Sequence, residues 1–154
     1  MNIKIVMTGK TTDRFVIEGI NTYLNRLKHY SKVDWVELPA KKNNSDAAKV
    51  LADEAAMNLK LISKTDFVIL LDETGKEFSS SLFAGWLDKH FTHHSRDLIF
   101  IIGGAYGFHS SLYDRADFKM ALSKMTFTHQ MVRLIFAEQL YRAFTIIRNE
   151  KYHH

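Results

Sequence analysis

Two apolar runs constrain this chain more than any other feature: Phe67-Val68-Ile69-Leu70-Leu71 and Leu98-Ile99-Phe100-Ile101-Ile102. A strand with one wet face alternates apolar and polar residues, and neither run does. Unbroken apolar runs of strand length belong to strands buried on both faces, as in parallel sheets covered by helices. The rest of the chain supplies those helices. A strand is expected over residues 2–8, ended by Gly9. Thr11, Thr12 and Asp13 are N-cap candidates for a helix in which Val16, Ile20, Leu24 and Leu27 recur at helical spacing. A second strand spans 33–38 and is closed by Pro39, the only proline, before a polar, basic loop at 40–44.

Ser45 or Asp46 is suited to cap a helix reaching about residue 62. The third strand covers 66–72, and Glu73-Thr74-Gly75-Lys76 reads as a turn. A helix then starts between Ser79 and Ser81 and runs near Phe91, with Phe83, Trp86, Leu87 and His90 on one face. The fourth strand is 97–102. A short helix begins at Ser110, a short fifth strand covers 118–122, and the last helix runs over 129–149. Strands alternating with helices define an α/β protein with a mostly parallel sheet flanked by helices. No linker divides it, so residues 1–154 form a single domain, a size able to bury a real core.

Composition excludes several chemistries. With no cysteine, disulfides, thiolate catalysis and cysteine-bound zinc are ruled out. No run approaches the about 18 apolar residues of a membrane span, and the N-terminus lacks the pattern of a secretory signal. No membrane partner and a cytoplasmic location are the resulting expectations. Neighbouring histidines such as His93-His94 and His153-His154 do not share a helix face, and no H-E-x-x-H occurs, so no metal site is expected. The net charge of +4 permits a nucleic-acid partner without requiring one. From His129 onward Arg133, Arg142, Arg148 and Lys151 face only Glu138 and Glu150, leaving a basic C-terminus.

In parallel α/β sheets ligands bind at the carboxyl ends of strands. Those ends are Leu71-Asp72, Gly103-Gly104 and Leu122-Ser123, and all three can line one crevice. Glycines at a strand end allow close approach of a ligand, or simply a tight turn. Gly103-Gly104-Ala105-Tyr106-Gly107 has neither the spacing nor the position of a dinucleotide fingerprint, and Gly75-Lys76 lacks the rest of a P-loop. Glu138 and Arg142 stand at i,i+4, the spacing of a helix ion pair. The last helix carries two adjoining apolar stripes: Val132, Phe136, Leu140, Ala143 and Ile147, then Met131, Leu134, Ile135 and Ile146. It is either a central helix packed on the sheet and a neighbour, or one that also meets a second subunit.

Taken together, these residues resemble a known family. The N-terminal strand, Leu70-Leu71-Asp72 with Gly75-Lys76, and Phe100 to Gly104 with Gly107 are matched in order and spacing. So are Leu122-Ser123 with Met125-Thr126, His129 with Val132-Arg133, Glu138 to Ala143, and Tyr152-His153. The chain is similar over essentially its whole length to the bacterial SPOUT-class methyltransferases that modify a pseudouridine in 23S ribosomal RNA. Ala105-Tyr106 fills the variable part of the glycine loop, and the tail ends at His154, where many relatives differ.

The resemblance implies a single-domain SPOUT fold with a C-terminal deep trefoil knot, a homodimer, and S-adenosylmethionine as cofactor. It implies methyl transfer to N3 of a pseudouridine in the assembled 70S ribosome. By the same resemblance Leu71, Gly103, Gly104, Leu122, Ser123, Lys124, Met125, Thr126 and Phe127 bind the cofactor. N3 must lose a weakly acidic proton, so the reaction needs a proton acceptor and stabilisation of an anion. His153 is the candidate base or base-orienting group, Arg142 the anion stabiliser, and Tyr152 a group to stack on or hydrogen-bond the target base. A SPOUT-like tRNA methyltransferase and a non-catalytic ribosome- or nucleotide-binding module are the alternatives.

Overall fold

A computed structural model describes residues 2–40, 46–104 and 106–153. In chain order the elements are β1 (Ile3–Thr8), α1 (Arg14–Leu27), β2 (Val33–Leu38), α2 (Ala47–Lys60) and β3 (Phe67–Glu77). There follow α3 (Ser80–His93), β4 (Leu98–Ile102), α4 (Ser110–Arg115), β5 (Phe118–Ala121) and α5 (His129–Ile147). The five strands form one sheet in the order β2-β1-β4-β3-β5. Every pairing is parallel.

The two apolar runs lie in the middle of this sheet. Leu98, Phe100 and Ile102 of β4 point into a core shared with α1, α3 and α5, while Ile99 and Ile101 point to the opposite face, under α2 and α4. All five β4 residues are buried, as expected for a central parallel strand. Helix starts follow local chemistry. Asp46 accepts from the backbone of Ala48 at 3.3 Å, and Ser79 from Leu82 at 3.2 Å. Thr128 opens α5 by accepting from Met131 at 3.2 Å. The other cap candidate for α2, Ser45, lies outside the described residues.

The expected turn at 73–76 is instead a bulge inside a longer strand. β3 leaves β5 after Leu71 and rejoins it at Lys76, and both residues face Met120. The Asp72 carboxylate accepts from the Thr74 amide at 2.7 Å and its hydroxyl at 2.6 Å, which closes the excursion. Gly75 lies flat on β5: a Cβ there would stand 2.5 Å from the Met120 amide nitrogen. Turn chemistry and bulge chemistry are locally the same, and only the returning partner strand separates them.

Helix α5 lies between α1 and α3 on one face of the sheet. Phe136, Leu140 and Ala143 are buried in the core, and Leu134 presses on Gly19 of α1, where a Cβ would come within 2.6 Å. The wide apolar circumference of α5 therefore has partners within the chain. It also carries buried polar groups that fasten the β1–α1 loop. Arg133, 1% exposed, donates to the Thr8 carbonyl at 2.8 Å and to the Thr11 hydroxyl at 2.9 Å. The side-chain carbonyl of Gln130 accepts from the Thr12 amide at 2.9 Å, and its amide nitrogen donates to the Lys10 carbonyl at 3.2 Å.

Candidate active site

The bulge of β3 and the carboxyl ends of β4 and β5 open onto one cleft of about 520 Å³. Leu71, Gly103, Gly104, Leu122, Ser123, Met125, Thr126 and Phe127 line it, and Lys124 lies on the same loop without lining it. The start of α5 closes one wall with His129 and Val132. Two segments far apart in sequence shape the floor. Gly107 adopts a left-handed φ of 77°, and its amide donates to the Gly104 carbonyl at 3.2 Å, folding the glycine loop back on itself. A Cβ on Gly103 would meet the Phe108 ring at 3.1 Å and the Gly107 carbonyl oxygen at 3.3 Å. A side chain at Gly103 would thus crowd its own loop, whose neighbours would have to give by a few tenths of an ångström, as well as enter the open space in front of it. The β5–α5 loop is pinned by Ser123, whose hydroxyl accepts from the Met125 amide at 2.9 Å, and leaves Met125 77% exposed at the rim.

Asp72 stands at the mouth. Burial alone would raise its pKa, but hydrogen bonds from Thr74 and Tyr113 and the nearby Lys119 hold the carboxyl below its ordinary value. Tyr113, whose hydroxyl donates to Asp72, is pushed up to about 12 by burial and by that carboxylate. Among the described lining residues there are two carboxylates, Asp72 and Glu73, and no lysine or arginine. The rest of the lining is mainly apolar. Such a cleft suits a flat apolar ligand that carries positive charge.

A second constellation lies further along α5. After Ile147 the chain reverses at Asn149, whose φ is 55°, and folds back along the helix. The Glu138 carboxylate accepts from Arg142 Nε at 3.0 Å and Nη2 at 2.6 Å, and from the Tyr152 hydroxyl at 3.2 Å. The Arg142 guanidinium lies 4.7 Å from the centre of the Tyr152 ring, and its Nη1 is 3.4 Å from His153 Nδ1. Hydrogen bonding to Glu138 raises the pKa of Arg142 further. Burial, a hydrogen bond with Tyr23 and the Glu138 charge push Tyr152 far up, so it stays a neutral phenol. Arg142, Tyr152 and His153 are therefore one cluster, organised by Glu138. It does not lie in the cleft of the same chain. Ten to thirteen helical residues separate His129 and Val132 from Arg142, roughly 15–20 Å along the axis.

Sequence reasoning placed the cleft loops but did not assign roles to Asp72, Phe108, Tyr113 or His129. Asp72 carries a readable signal, an acid directly after a buried apolar run. Tyr113 carries none, because its partner is 41 residues away. Among the described residues no group of three or more His, Asp or Glu side chains is arranged to hold a metal.

Fold and cleft together define a class. Residues 1–153 match the family model described as "Predicted SPOUT methyltransferase". A "Ribosomal RNA large subunit methyltransferase H" of Christiangramia forsetii is 48% identical over 156 residues, covering 100% of this chain and 99% of that one. A protein of the same name from Parabacteroides distasonis is 45% identical with the same coverage. The chain belongs to the SPOUT-class ribosomal RNA large subunit methyltransferase H family. In fold it is also similar to a crystal structure of a probable methyltransferase from Bordetella pertussis. The TM-score is 0.59 at 9% identity, over 93% of this chain and 94% of that one.

Proposed function

We propose that this protein transfers a methyl group from S-adenosylmethionine to N3 of a pseudouridine in 23S ribosomal RNA, acting on the assembled 70S ribosome in the cytoplasm. The observation that carries the proposal is the convergence of the β3 bulge and two strand-end loops on one cleft lined by apolar side chains and carboxylates. The residues present fit the cofactor. Backbone groups at Gly103, Gly104 and the 122–127 loop suit the polar edge of adenine, and Leu122, Phe127 and Val132 suit its faces. Asp72 and Glu73 give the cleft the sign of charge that favours a sulfonium. Bound there, S-adenosylmethionine supplies an electrophilic methyl group. A deep trefoil knot formed by the loops around this cleft belongs to the same reading.

The chain's own residues supply the rest. N3 of the target base must lose its proton, and His153 is the acceptor in the tail. Arg142, held by Glu138, stabilises the negative charge that develops on the base. Tyr152 is kept as a phenol, which fits it to stack or donate a hydrogen bond and not to act as a base. The distance between tail cluster and cleft along α5 means that one chain does not bring them together. We infer a homodimer in which the tail of one protomer serves the cleft of the other.

The test is calorimetric titration with S-adenosylmethionine in chelator, followed by transfer of labelled methyl to 70S ribosomes and to tRNA. Binding without metal and labelling of 23S RNA alone are expected. Labelling of tRNA would redirect the substrate, and no binding would remove the methyltransferase reading.

A further inference from the structure

The chain has seven arginines, and five of them are already engaged. Arg14 pairs with Glu18, Arg96 and Arg115 with Asp117, and Arg142 with Glu138, while Arg133 is buried under the β1–α1 loop. Arg26 and Arg148 are different. Both are exposed, and neither has a carboxylate or hydrogen-bond partner among the described residues. Instead each is laid against tyrosine. The Arg26 guanidinium stands 5.7 Å from the Tyr23 ring centre and 5.5 Å from that of Tyr141, and Arg148 stands 5.1 Å from Tyr30. A guanidinium resting on a ring is held in orientation while its N–H edge stays free.

The tyrosines make this one surface. Tyr30 and Tyr141 meet edge-on at 5.8 Å, as do Tyr141 and Tyr152 at 4.8 Å, and Tyr23 is tilted against Tyr141 at 5.9 Å. Tyr30 also donates to Glu150, two residues beyond Arg148. Lys28 and Lys151 extend the charge at the joined ends of α1 and α5.

We propose that Arg26 and Arg148 are phosphate anchors that hold the RNA backbone beside the tail cluster. Preoriented guanidinium edges match phosphate oxygens bidentately, and tyrosine tolerates any neighbouring base. Arg26 shares Tyr23 and Tyr141 with Tyr152, so a phosphate held there sets the strand's register next to the residues proposed to act on the base. The inference rests on the ribosomal RNA reading, and it names the part of the surface that takes the substrate.

The test measures binding of a fluorescein-labelled RNA hairpin and of 70S ribosomes across a salt series, for wild type, R26Q/R148Q and, as a control, R14Q. Loss of two phosphate contacts flattens the plot of log affinity against log salt by between about 1 and 2 units. Affinity near physiological salt should fall about tenfold for any RNA sequence. S-adenosylmethionine affinity, measured by calorimetry, and sedimentation mass should not change. An unchanged slope in R26Q/R148Q, an equal loss in R14Q, or a change of mass would each overturn the proposal. A wild-type protein that binds RNA with this slope but methylates no ribosome would leave the anchors standing and sink the enzymatic reading.

Discussion

The two ends of α5 are built on opposite plans. At its N-terminal end a cleft opens at the carboxyl edge of the sheet, made largely of backbone turns and apolar side chains. At its C-terminal end Glu138, Arg142, Tyr152 and His153 are bound to one another by hydrogen bonds. The first end can hold a molecule and brings one imidazole, that of His129, to its wall. The second gathers a guanidinium, a phenol and an imidazole around one carboxylate. On the proposed function, binding and chemistry are divided between two regions that a single chain keeps apart, and each should fail in its own way.

The largest expected effect is at the cleft. Gly103→Val should abolish S-adenosylmethionine binding, because even its Cβ crowds the Phe108 ring and the Gly107 carbonyl and the remaining methyls enter the open space. The loop itself must shift, so a thermal melt has to show that the sheet still unfolds in one transition. Binding by calorimetry within threefold of wild type would remove this cleft as the cofactor site.

Deleting residues 152–154 should do the reverse. Cofactor affinity should stay within a few-fold, while turnover on 70S ribosomes falls about 10²-fold or more, the scale of losing a general base. Single-turnover assays at saturating ribosomes separate the two. A tail deletion that weakens cofactor binding as much as turnover would erase the division between the regions.

The smallest effect belongs to neither end and calibrates both. His90 of α3 is 5% exposed and its Nε2 has no partner. Burial foremost, with the His94 and Arg96 charges, lowers its pKa below 6.5, against a weaker opposing pull from a hydrogen bond that the ring donates to the Arg96 backbone and from the Asp117 charge. As pH falls, the unfolded chain takes up this proton before the folded one. Stability is therefore complete above about pH 6.5 and lost below it, by at most about 1.4 kcal/mol per pH unit. Melts of His90→Phe between pH 7 and pH 5 should show a shallower decline than wild type, with cofactor binding at pH 7.5 unchanged. An identical decline would show that His90 does not titrate in this range.

Much of this was legible in sequence because it depends on local pattern. Unbroken apolar runs marked the central strands, and glycines at the end of one of them marked the cleft. What was hidden depends on partners distant in the chain. The segment 73–76 carries the chemistry of a turn, and only Met120, facing both Leu71 and Lys76, makes it a bulge. The apolar girth of α5 showed that it needed several neighbours. That α1 and α3 supply them follows from the close approach at Gly19 and from the sheet order. The i,i+4 spacing announced the pair of Glu138 and Arg142, yet not that Tyr152 and His153 fold back onto it. That return depends on one left-handed residue, Asn149.

The division of labour between cleft and tail is tested most directly by complementation. A chain carrying Gly103→Val keeps its tail, and a chain lacking residues 152–154 keeps its cleft. Neither homodimer should methylate ribosomes at an appreciable rate. Unfolded together in equal amounts and refolded, about half the dimers are mixed, and each joins one intact cleft to the partner's tail. Methyl transfer should then return to about a quarter of the wild-type rate per protein chain, one site in each mixed dimer. A mixture no more active than its separate components, with mixed dimers demonstrated by mass, would contradict a site shared between two chains.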